Sequence, residues 1–367
     1  MIGLDIVQVN ADRGIAPGAT KGAALHLRGV AAGLAACGHS LQTYSARLAE
    51  GPFPVPVKPL HELETVTEAA VVYERYSLGH LGGLELARSL DVPFVLEVNA
   101  PLVDEAIAHR PGTLPPNAAD VEEKLLAEAD LVITVSTALS EWVSTKRDGL
   151  IETIANGFEP SWFPPPNRAA AEAGGADQHI VFLGHPKPWH GAELLVDLLI
   201  DMAELGYRPQ LLVVGGGPGA DTLVARATEL GVGQQIVVTG PTEPHRVAVH
   251  LATAAIGLAP YPRQDPFYFC PLKIVDYLAA GLPIVATRQG DIAELVQDAG
   301  LLVEPDDRAA LATAVAELLG DRQRARTMGI SGRRRALTEM TWRRVAEMTE
   351  QAILQLRHES LQAASGR

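Results

Sequence analysis

Short runs of β-branched and aliphatic residues alternate along the first part of the chain with longer segments whose apolar residues recur at helical spacing. The runs that predict strands are "LDIVQVN" (4–10), "LQTYSA" (41–46), "AAVVYERY" (69–76), "PFVLEVN" (93–99), "DLVITVST" (130–137) and "IETIANG" (151–157). Helical patterns separate them, such as 21–39, where Leu25, Val30 and Leu34 face one side. Strands separated by helices imply right-handed crossovers, so the pattern predicts a doubly wound parallel α/β domain.

This alternation stops at the stretch "FEPSWFPPPNRAAAEAGGADQ", which has several prolines and a glycine pair but no apolar periodicity. Proline and glycine do not continue a helix or a central strand, so the stretch predicts a linker. We therefore divide the chain into a first domain at 1–160, a linker at 161–176 and a second domain at 177–341.

The alternation restarts in the second domain. Six runs predict strands, namely 179–184, 210–217, 235–240, 255–261, 283–288 and 300–305, and the tail from about 307 is helical. The predicted fold class is therefore α/β, with two Rossmann-like doubly wound domains that face an interdomain cleft. Ligands of open parallel sheets bind beyond the carboxyl ends of the strands, so we expect the site at that cleft.

Composition narrows the class of protein. Hydrophobic residues make up 47% of the chain and charged residues 20%, which is typical of a soluble globular protein. The longest apolar runs are too short to span a membrane, and the N-terminus has no basic segment that would indicate a signal peptide. Two cysteines, Cys37 and Cys270, predict neither a disulfide framework nor a cysteine-rich metal site, so we expect a cytoplasmic protein. The net charge of −14 argues against nucleic acid as a partner.

The first strand is followed by the glycine-rich connection "ADRGIAPGATKGAALHLRG". Gly14, Gly18 and Gly22 would let backbone N–H groups approach a ligand, and Lys21 stands where the next helix begins. The spacing differs from a dinucleotide fingerprint, and an ordinary long loop remains the alternative.

A second polar pair ends the strand 93–99. Glu97 and Asn99 alternate with Val98 and therefore point to one face near the carboxyl end of the strand. Two interpretations of this pair remain open: the side chains contact a ligand, or they form a polar edge of the strand with a purely structural role.

The loop after the strand 179–184, "GHPKPWHG", holds His185, Lys187, Trp189 and His190. Lysine offers a charge for a phosphate, and histidine offers ring donors whose charge depends on their surroundings. No third metal ligand stands nearby, so we predict no metal site. The next strand ends in "VVGGGPG", where Gly216 would allow close approach of a ligand. A solvated loop is the alternative in both places.

The stretch "FCPLKIVDYLAAGLPIVATRQGD" predicts a helix between a proline and a glycine. Pro271 suits its first position, and the N–H groups of Leu272 and Lys273 would then face an anion at the positive end of the helix dipole. Asp276 lies one turn further on the same face, where a carboxylate accepts two hydrogen bonds from a ribose diol. This spacing predicts a nucleoside diphosphate site; an exposed Asp–Lys pair is the alternative.

These segments together resemble the family 4 glycosyltransferases of the GT-B fold. The resemblance is carried by "GATKGAALHLRGVAAGLAACGHSL", "VYERYSLGHLGGLELARSLDVPFVLEVNAPL", "FLGHPKPWHGAELL", "LLVVGGGP", "PLKIVDYLAAGLPIVATRQGDIAELVQDAGLLVEPDD" and the tail piece "MTWRRVAE". It implies a donor site in the second domain, an acceptor site in the first, and a final helix at about 342–367 that returns to the first domain. It also implies transfer with retention, without a metal or another cofactor.

The resemblance assigns donor-binding residues unevenly. Asp276 matches the second acid of the family's E-x7-E pattern, which binds the ribose, whereas the first acid falls at Tyr268. Backbone groups from Phe269 through Cys270 and Pro271 to Leu272 would then contact the sugar and phosphates.

The basic residues of the family's G-R-x4-K-G pattern fall at His185 and His190. Lys187 or Lys273 would carry the charge instead, and Asn99 replaces the family's histidine near the sugar. The glycine-rich loop of the family matches at Lys21 and Gly22.

The resulting hypothesis is a retaining transferase that moves a sugar from a nucleoside diphosphate, with a UDP-sugar favoured, to a hydroxyl or amine of a soluble small molecule. Lys273 and Lys187 would neutralise the leaving diphosphate, while Glu97 and Asn99 would contact sugar or acceptor. Composition suggests a bacterial source and a role in natural-product biosynthesis. Two alternatives remain: a GT-B sugar-nucleotide 2-epimerase or hydrolase, and a catalytically impaired partner protein.

Overall fold

The chain divides into two units. The computed structural model describes residues 3–110, 112, 114–165 and 179–365. One unit comprises Met1–Gly157, Tyr268–Cys270 and Trp342–Arg367, and the other Phe158–Phe267 and Pro271–Thr341. From residue 166 onward, the predicted linker lies outside the described residues. Tyr268–Cys270 pack with the first unit, although the sequence pattern had counted them with the second.

The first unit contains a seven-stranded parallel sheet in the order β3-β2-β1-β4-β5-β6-β7. Its strands are β1 (Asp5–Asn10), β2 (Ser40–Ser45), β3 (Val57–Pro59), β4 (Val71–Arg75), β5 (Phe94–Val98), β6 (Leu131–Thr134) and β7 (Leu150–Thr153). The hydrophobic pattern predicts all of them except β3, a three-residue edge strand with no fully buried position. Such a short, half-buried edge leaves no apolar run in the sequence.

Helices cover this sheet. They are α1 (Gly22–Ala36), α2 (Gly82–Leu90), α3 (Leu102–His109), α4 (Ala118–Glu128), α5 (Thr137–Ser144) and, at the end of the chain, α13 (Trp342–Ser365). The central strands β4 and β5 are buried at every residue, because helices on both faces exclude water from the sheet.

The second unit contains a six-stranded parallel sheet in the order β10-β9-β8-β11-β12-β13. Its strands are β8 (His179–Leu183), β9 (Gln210–Val214), β10 (Ile236–Val238), β11 (Ile256–Ala259), β12 (Ile284–Thr287) and β13 (Gly300–Val303). Its helices are α6 (Ala192–Glu204), α7 (Pro218–Glu229), α8 (Pro244–Leu251), α9 (Leu272–Ala280), α10 (Ile292–Val296), α11 (Arg308–Gly320) and α12 (Arg322–Glu339). All six strands predicted from the sequence are present, which confirms two parallel α/β units.

Helix α13 packs within the first unit against α1, and glycines make the close approach possible. A Cβ atom at Gly29 would lie 2.0 Å from Cε2 of Trp342, and one at Gly33 would lie 2.2 Å from the Trp342 carbonyl oxygen. Trp342 and Ile353 are buried on the facing side of α13. Among the described residues, no helix is long and apolar enough to cross a membrane.

We expect Gly33→Ala to lower the free energy of unfolding by about 1–3 kcal/mol, because the added methyl group meets a backbone oxygen that cannot rotate away. Alanine is the better helix former, so propensity alone predicts the opposite sign. Urea unfolding measures the change. Gly320→Ala is the matched control, since its new methyl group meets only the movable Tyr207 hydroxyl at 3.2 Å; equal stability of the two variants would contradict the packing account.

Candidate functional site

Helix α9 begins at Leu272, and Pro271 is its N-cap residue with φ −72° and ψ 108°. The expectation that Pro271 occupies the first helical position is therefore wrong by one residue, because its ψ angle is extended rather than helical. The first N–H groups of the helix, those of Leu272 and Lys273, have no acceptor inside it. Gly281 ends the helix in the left-handed conformation, with φ 69°.

Lys273 is buried between aromatic rings rather than paired with an acid. Its Nζ atom lies 3.9 Å from the ring centroid of Phe182 and 5.0 Å from that of Tyr261. No hydrogen-bond acceptor reaches this ammonium from any part of the chain that the structure describes. Burial lowers the pKa of Lys273 to about 7. A buried ammonium without a partner is costly, so an anionic ligand would stabilise it.

Asp276 lies one turn further along α9. The residue keeps some exposed surface, yet the surrounding protein desolvates its carboxylate and raises the pKa of Asp276 to about 7. Within the described ranges of the chain, no hydrogen bond or ion pair joins this carboxylate to another residue, and it does not pair with Lys273. Its acceptor oxygens are therefore available to a ligand that carries hydroxyl groups.

The loop after β8 brings two histidines and a second lysine to the same end of the sheet. Nδ1 of His190 lies 2.9 Å from the His185 carbonyl oxygen, and Nδ1 of His185 lies 2.5 Å from the Gly216 carbonyl oxygen. Lys187 is exposed and lies with Nζ 4.8 Å from the ring centroid of Trp189. Burial, reinforced by Lys273 and Lys187, lowers the pKa of His190 to about 3, so the ring is neutral.

Glycines allow the loops after β8 and β9 to approach each other closely. A Cβ atom at Gly215 would lie 2.3 Å from the Gly184 carbonyl oxygen, and one at Gly219 would lie 1.7 Å from the Pro186 carbonyl oxygen. Gly215 also has φ 146°, which an L side chain rarely adopts. These glycines therefore explain the close packing of the loops, and Gly216 itself is buried.

The second unit thus gathers His185, Lys187, His190, Gly216 and the start of α9 at the carboxyl end of one sheet. Two further residues contribute to this cluster that the sequence pattern did not single out. Phe182 lies inside β8 and looks like an ordinary core residue, while Tyr261 follows β11 and packs edge-on against His190, 5.9 Å between ring centroids. Only the "APYP" exit from the strand hinted at Tyr261.

In the first unit, Glu97 lies at the centre of a buried network. Its Oε1 atom accepts hydrogen bonds from Arg75 at 3.0 Å and from Asn99 at 2.5 Å, and lies 2.8 Å from Nε2 of His26. Its other oxygen accepts a hydrogen bond from the Tyr73 hydroxyl.

Burial by itself would raise the pKa of Glu97, but the opposing effects of His26, Arg75 and Tyr73 hold it well below the usual range. The carboxylate is only 2% exposed and has several partners. The contact of Glu97 with sugar or acceptor stays a prediction, and in this structure the oxygens of Glu97 are engaged by these partners. Asn99, half-buried at the end of β5, is held in place by Glu97.

The same network continues to the segment Tyr268–Cys270. Nδ1 of His26 lies 2.6 Å from Oδ1 of Asn156. Asn156 in turn donates a hydrogen bond from Nδ2 to the Cys270 carbonyl oxygen at 2.7 Å. The Asn156 N–H also approaches the Cys270 sulfur at 3.3 Å. His26 and Asn156 were missed by sequence analysis; a lone histidine inside an apolar helix was the only signal.

Tyr268 stands where the resemblance placed the family's first acid, and its side chain is held by the first unit. The hydroxyl donates a hydrogen bond to Glu105 of α3, and burial together with that bond raises the Tyr268 pKa. Its carbonyl oxygen accepts a hydrogen bond from Ser136 at 2.7 Å, and its ring lies 4.4 Å from that of Phe269. The proposed ligand contacts of Tyr268, Phe269 and Cys270 remain predictions.

Lys21 and Gly22 lie where the sequence predicts, at the start of α1. Lys21 is the exposed N-cap residue, and its carbonyl oxygen accepts hydrogen bonds from the N–H groups of Ala24 and Leu25. Gly18, with φ 79°, packs directly against the backbone of Gly51. Nowhere in the described chain do three His, Cys, Asp or Glu side chains come together in a way that could hold a metal ion.

Two parallel-sheet α/β units of this kind define the GT-B fold of glycosyltransferases. Sucrose-phosphate synthase from Thermosynechococcus elongatus is similar in structure, with a TM-score of 0.72 and 23% identity over 97% of this chain and 100% of that chain. HepE from Anabaena, solved with UDP-glucose, has a TM-score of 0.71 and 19% identity over 96% of this chain and 100% of that chain. These similarities establish the fold.

Residues 177–321 match the family described as Glycosyl transferases group 1. A GDP-mannose-dependent alpha-(1-6)-phosphatidylinositol monomannoside mannosyltransferase of Mycolicibacterium smegmatis is 34% identical over 190 residues, 50% of this chain and 49% of the relative. A D-inositol 3-phosphate glycosyltransferase of Nocardia farcinica is 30% identical over 227 residues, 57% and 49% of the two chains. The chain thus spans about half the length of these curated relatives.

Proposed function

We propose that the protein is a glycosyltransferase whose second unit binds a nucleoside diphosphate sugar. The observation that carries this proposal is a pair of charged groups on α9 for which the described residues supply no partner. They are the buried ammonium of Lys273 and, one turn on, the carboxylate of Asp276. A nucleoside diphosphate offers each of them its complement, because it has an anionic diphosphate next to a ribose diol.

The diphosphate would lie at the start of α9, where helix N–H groups and the helix dipole favour an anion. Lys273 supplies a full positive charge at that place, and Lys187 supplies a second one from the loop after β8. The aromatic faces of Phe182 and Tyr261 exclude water around Lys273, and a charge pair strengthens in such surroundings.

Asp276 would accept hydrogen bonds from the two ribose hydroxyls. A charged acceptor makes stronger hydrogen bonds than a neutral one. Each of these bonds would also stabilise the ionised form, which burial disfavours in the free protein.

In the proposed reaction, the bond between the anomeric carbon and the diphosphate breaks while Lys273, Lys187 and the start of α9 neutralise the leaving group. The acceptor attacks from the same face, and a departing phosphate oxygen takes its proton. The configuration at the anomeric carbon is therefore retained, and these residues supply the positive charge without a metal.

The donor base and sugar remain part of the proposal. The relatives that are 34% and 30% identical are a GDP-mannose-dependent enzyme and an inositol 3-phosphate glycosyltransferase, whereas HepE was solved with UDP-glucose. We keep both GDP- and UDP-hexoses as candidate donors. The names of the two relatives favour an acceptor that carries an inositol hydroxyl, beside the soluble small molecule expected from the sequence.

Calorimetric titration with UDP, GDP, ADP and TDP in the presence of EDTA tests the proposal. We expect one nucleotide to bind with micromolar affinity, and its base then selects the sugar nucleotides for a turnover assay with myo-inositol 3-phosphate as first acceptor. If none of the four binds, the chain is not a nucleotide-sugar transferase, and a catalytically impaired partner protein becomes the better account.

A further inference from the structure

The proposed diphosphate site brings together Lys273, Lys187 and His190, and no acid among the described residues forms an ion pair with any of them. Lys273 comes from α9, while Lys187 and His190 come from the loop after β8. The groups that face His190 are Lys273, Lys187 and His185, and Tyr261 covers its edge. The Asp276 carboxylate on the next turn of α9 forms no ion pair with any of them in the described part of the chain.

The hydrogen bonds of His190 determine where its proton lies. A carbonyl oxygen only accepts, so the contact between Nδ1 and the His185 carbonyl oxygen requires the hydrogen on Nδ1. A neutral ring therefore has a bare acceptor at Nε2 and cannot donate to a phosphate oxygen from that atom. Protonation at Nε2 would turn the same atom into a charged donor.

Without a ligand, the surroundings oppose positive charge on both Lys273 and His190. The Lys273 ammonium is removed from water, and within the part of the chain that the structure describes its partners are aromatic faces alone; each added proton also repels the others. An anion bound among these groups would favour the protonation of both, because it attracts the charged form of each. Ligand binding and protonation must then be coupled.

We infer that this site takes up protons when it binds a diphosphate, through Lys273 and His190, so that donor affinity depends on pH. The inference rests on the function proposed above and concerns the same site. A pH-dependent affinity would distinguish this site from a diphosphate site built with arginine, because arginine stays charged at every physiological pH.

The direction in which donor affinity changes with pH follows from the protonation of Lys273 and His190. Above about pH 7 the free protein has lost the Lys273 proton, and binding must restore it. Affinity should therefore fall roughly tenfold for each unit of pH above that value. Below it Lys273 is already largely charged, so further uptake comes from His190. Ionisation of Asp276 on binding the ribose releases a proton in the opposite direction, and a comparison of His190→Gln with the wild type separates the two.

Calorimetry in buffers with different ionisation enthalpies counts the protons, because the observed binding enthalpy changes with the buffer in proportion to the uptake. The probe is whichever of UDP or GDP binds. For the wild type near pH 8 we expect an uptake of about one proton. In Lys273→Arg the nucleotide binding that remains should proceed with most of that uptake removed, because arginine is already charged in the free protein. His190→Gln should lower the uptake relative to the wild type near pH 6.5.

His245→Gln is the matched control, because His245 is exposed on α8 and lies outside the cluster. Absence of nucleotide binding would count against the proposed function itself. Binding whose enthalpy is independent of buffer and whose affinity is flat with pH would overturn the proton coupling while leaving that function intact. Equal uptake by His190→Gln and wild type near pH 6.5 would overturn the role of His190.

Discussion

Replacing Lys273 by methionine is expected to slow release of the nucleoside diphosphate from its sugar by about 10²–10³-fold, while making the fold more stable. Methionine has a similar length and fits between the rings of Phe182 and Tyr261, but it cannot neutralise the leaving diphosphate. The loss of a buried ammonium without a partner removes a destabilisation on the order of a few kcal/mol near pH 7.

Both effects are measured on one preparation, by nucleoside diphosphate release and by urea unfolding. Lys124→Met, at an exposed position of α4, is the matched control and should change neither. The stability change has a definite pH dependence. The depressed Lys273 pKa destabilises the wild type fully below about pH 7, and the effect fades as the pH rises toward about 10.5. A variant with normal turnover would remove Lys273 from the diphosphate site.

Replacing Asp276 by asparagine is expected to weaken nucleotide binding by about 10–100-fold, because two hydrogen bonds to a charged acceptor become neutral ones or are lost. The ribose assignment makes a sharper prediction with 2′-deoxynucleotides. The wild type should bind the deoxynucleotide more weakly than the ribonucleotide, whereas Asp276→Asn should scarcely distinguish them. Calorimetric titration of both proteins with both ligands gives the four affinities of a thermodynamic cycle, which measures the coupling between the Asp276 carboxylate and the 2′-hydroxyl.

Asp221→Asn, at an exposed position in the first turn of α7, is the control and should preserve the full preference for ribose. If Asp276→Asn kept that preference too, the carboxylate would not bind the ribose.

The same variant tests how the burial of Asp276 affects the stability of the fold. The raised pKa stabilises the wild type fully below about pH 3.8, and this contribution is lost as the pH rises through about 7. Asp276→Asn should therefore gain stability relative to the wild type between about pH 5 and 8.

Helix α9 shows how far local sequence reasoning extends. A proline, an apolar run and a glycine predict the bounds of α9 within one residue, since capping and backbone preferences act over a few neighbours. The spacing of Lys273 and Asp276 on successive turns follows from the same helical period. That Lys273 has no acid beside it does not follow, because its surroundings are rings from β8 and from the exit of β11.

Glu97 shows where local reasoning fails. The alternation in β5 correctly places Glu97 and Asn99 on one face, and a ligand contact and a structural role look alike at that level. Only the pairing of β5 with β4 brings Tyr73 and Arg75 to the carboxylate, and only the packing of α1 adds His26. Long-range pairing converts a candidate ligand residue into the buried centre of a network.

The sequence by itself determined the two parallel α/β units, the strand positions apart from β3, and the loops that carry the candidate site, because hydrophobic periodicity and Gly/Pro chemistry are local properties of the chain. The tertiary structure alone decided which charges are paired. It surrounds Lys273 with aromatic rings, leaves Asp276 without a partner among the described residues, pairs Glu97, and holds Tyr268–Cys270 within the first unit through Asn156 and Ser136. Burial and charge pairing depend on residues distant in sequence, so no local pattern records them.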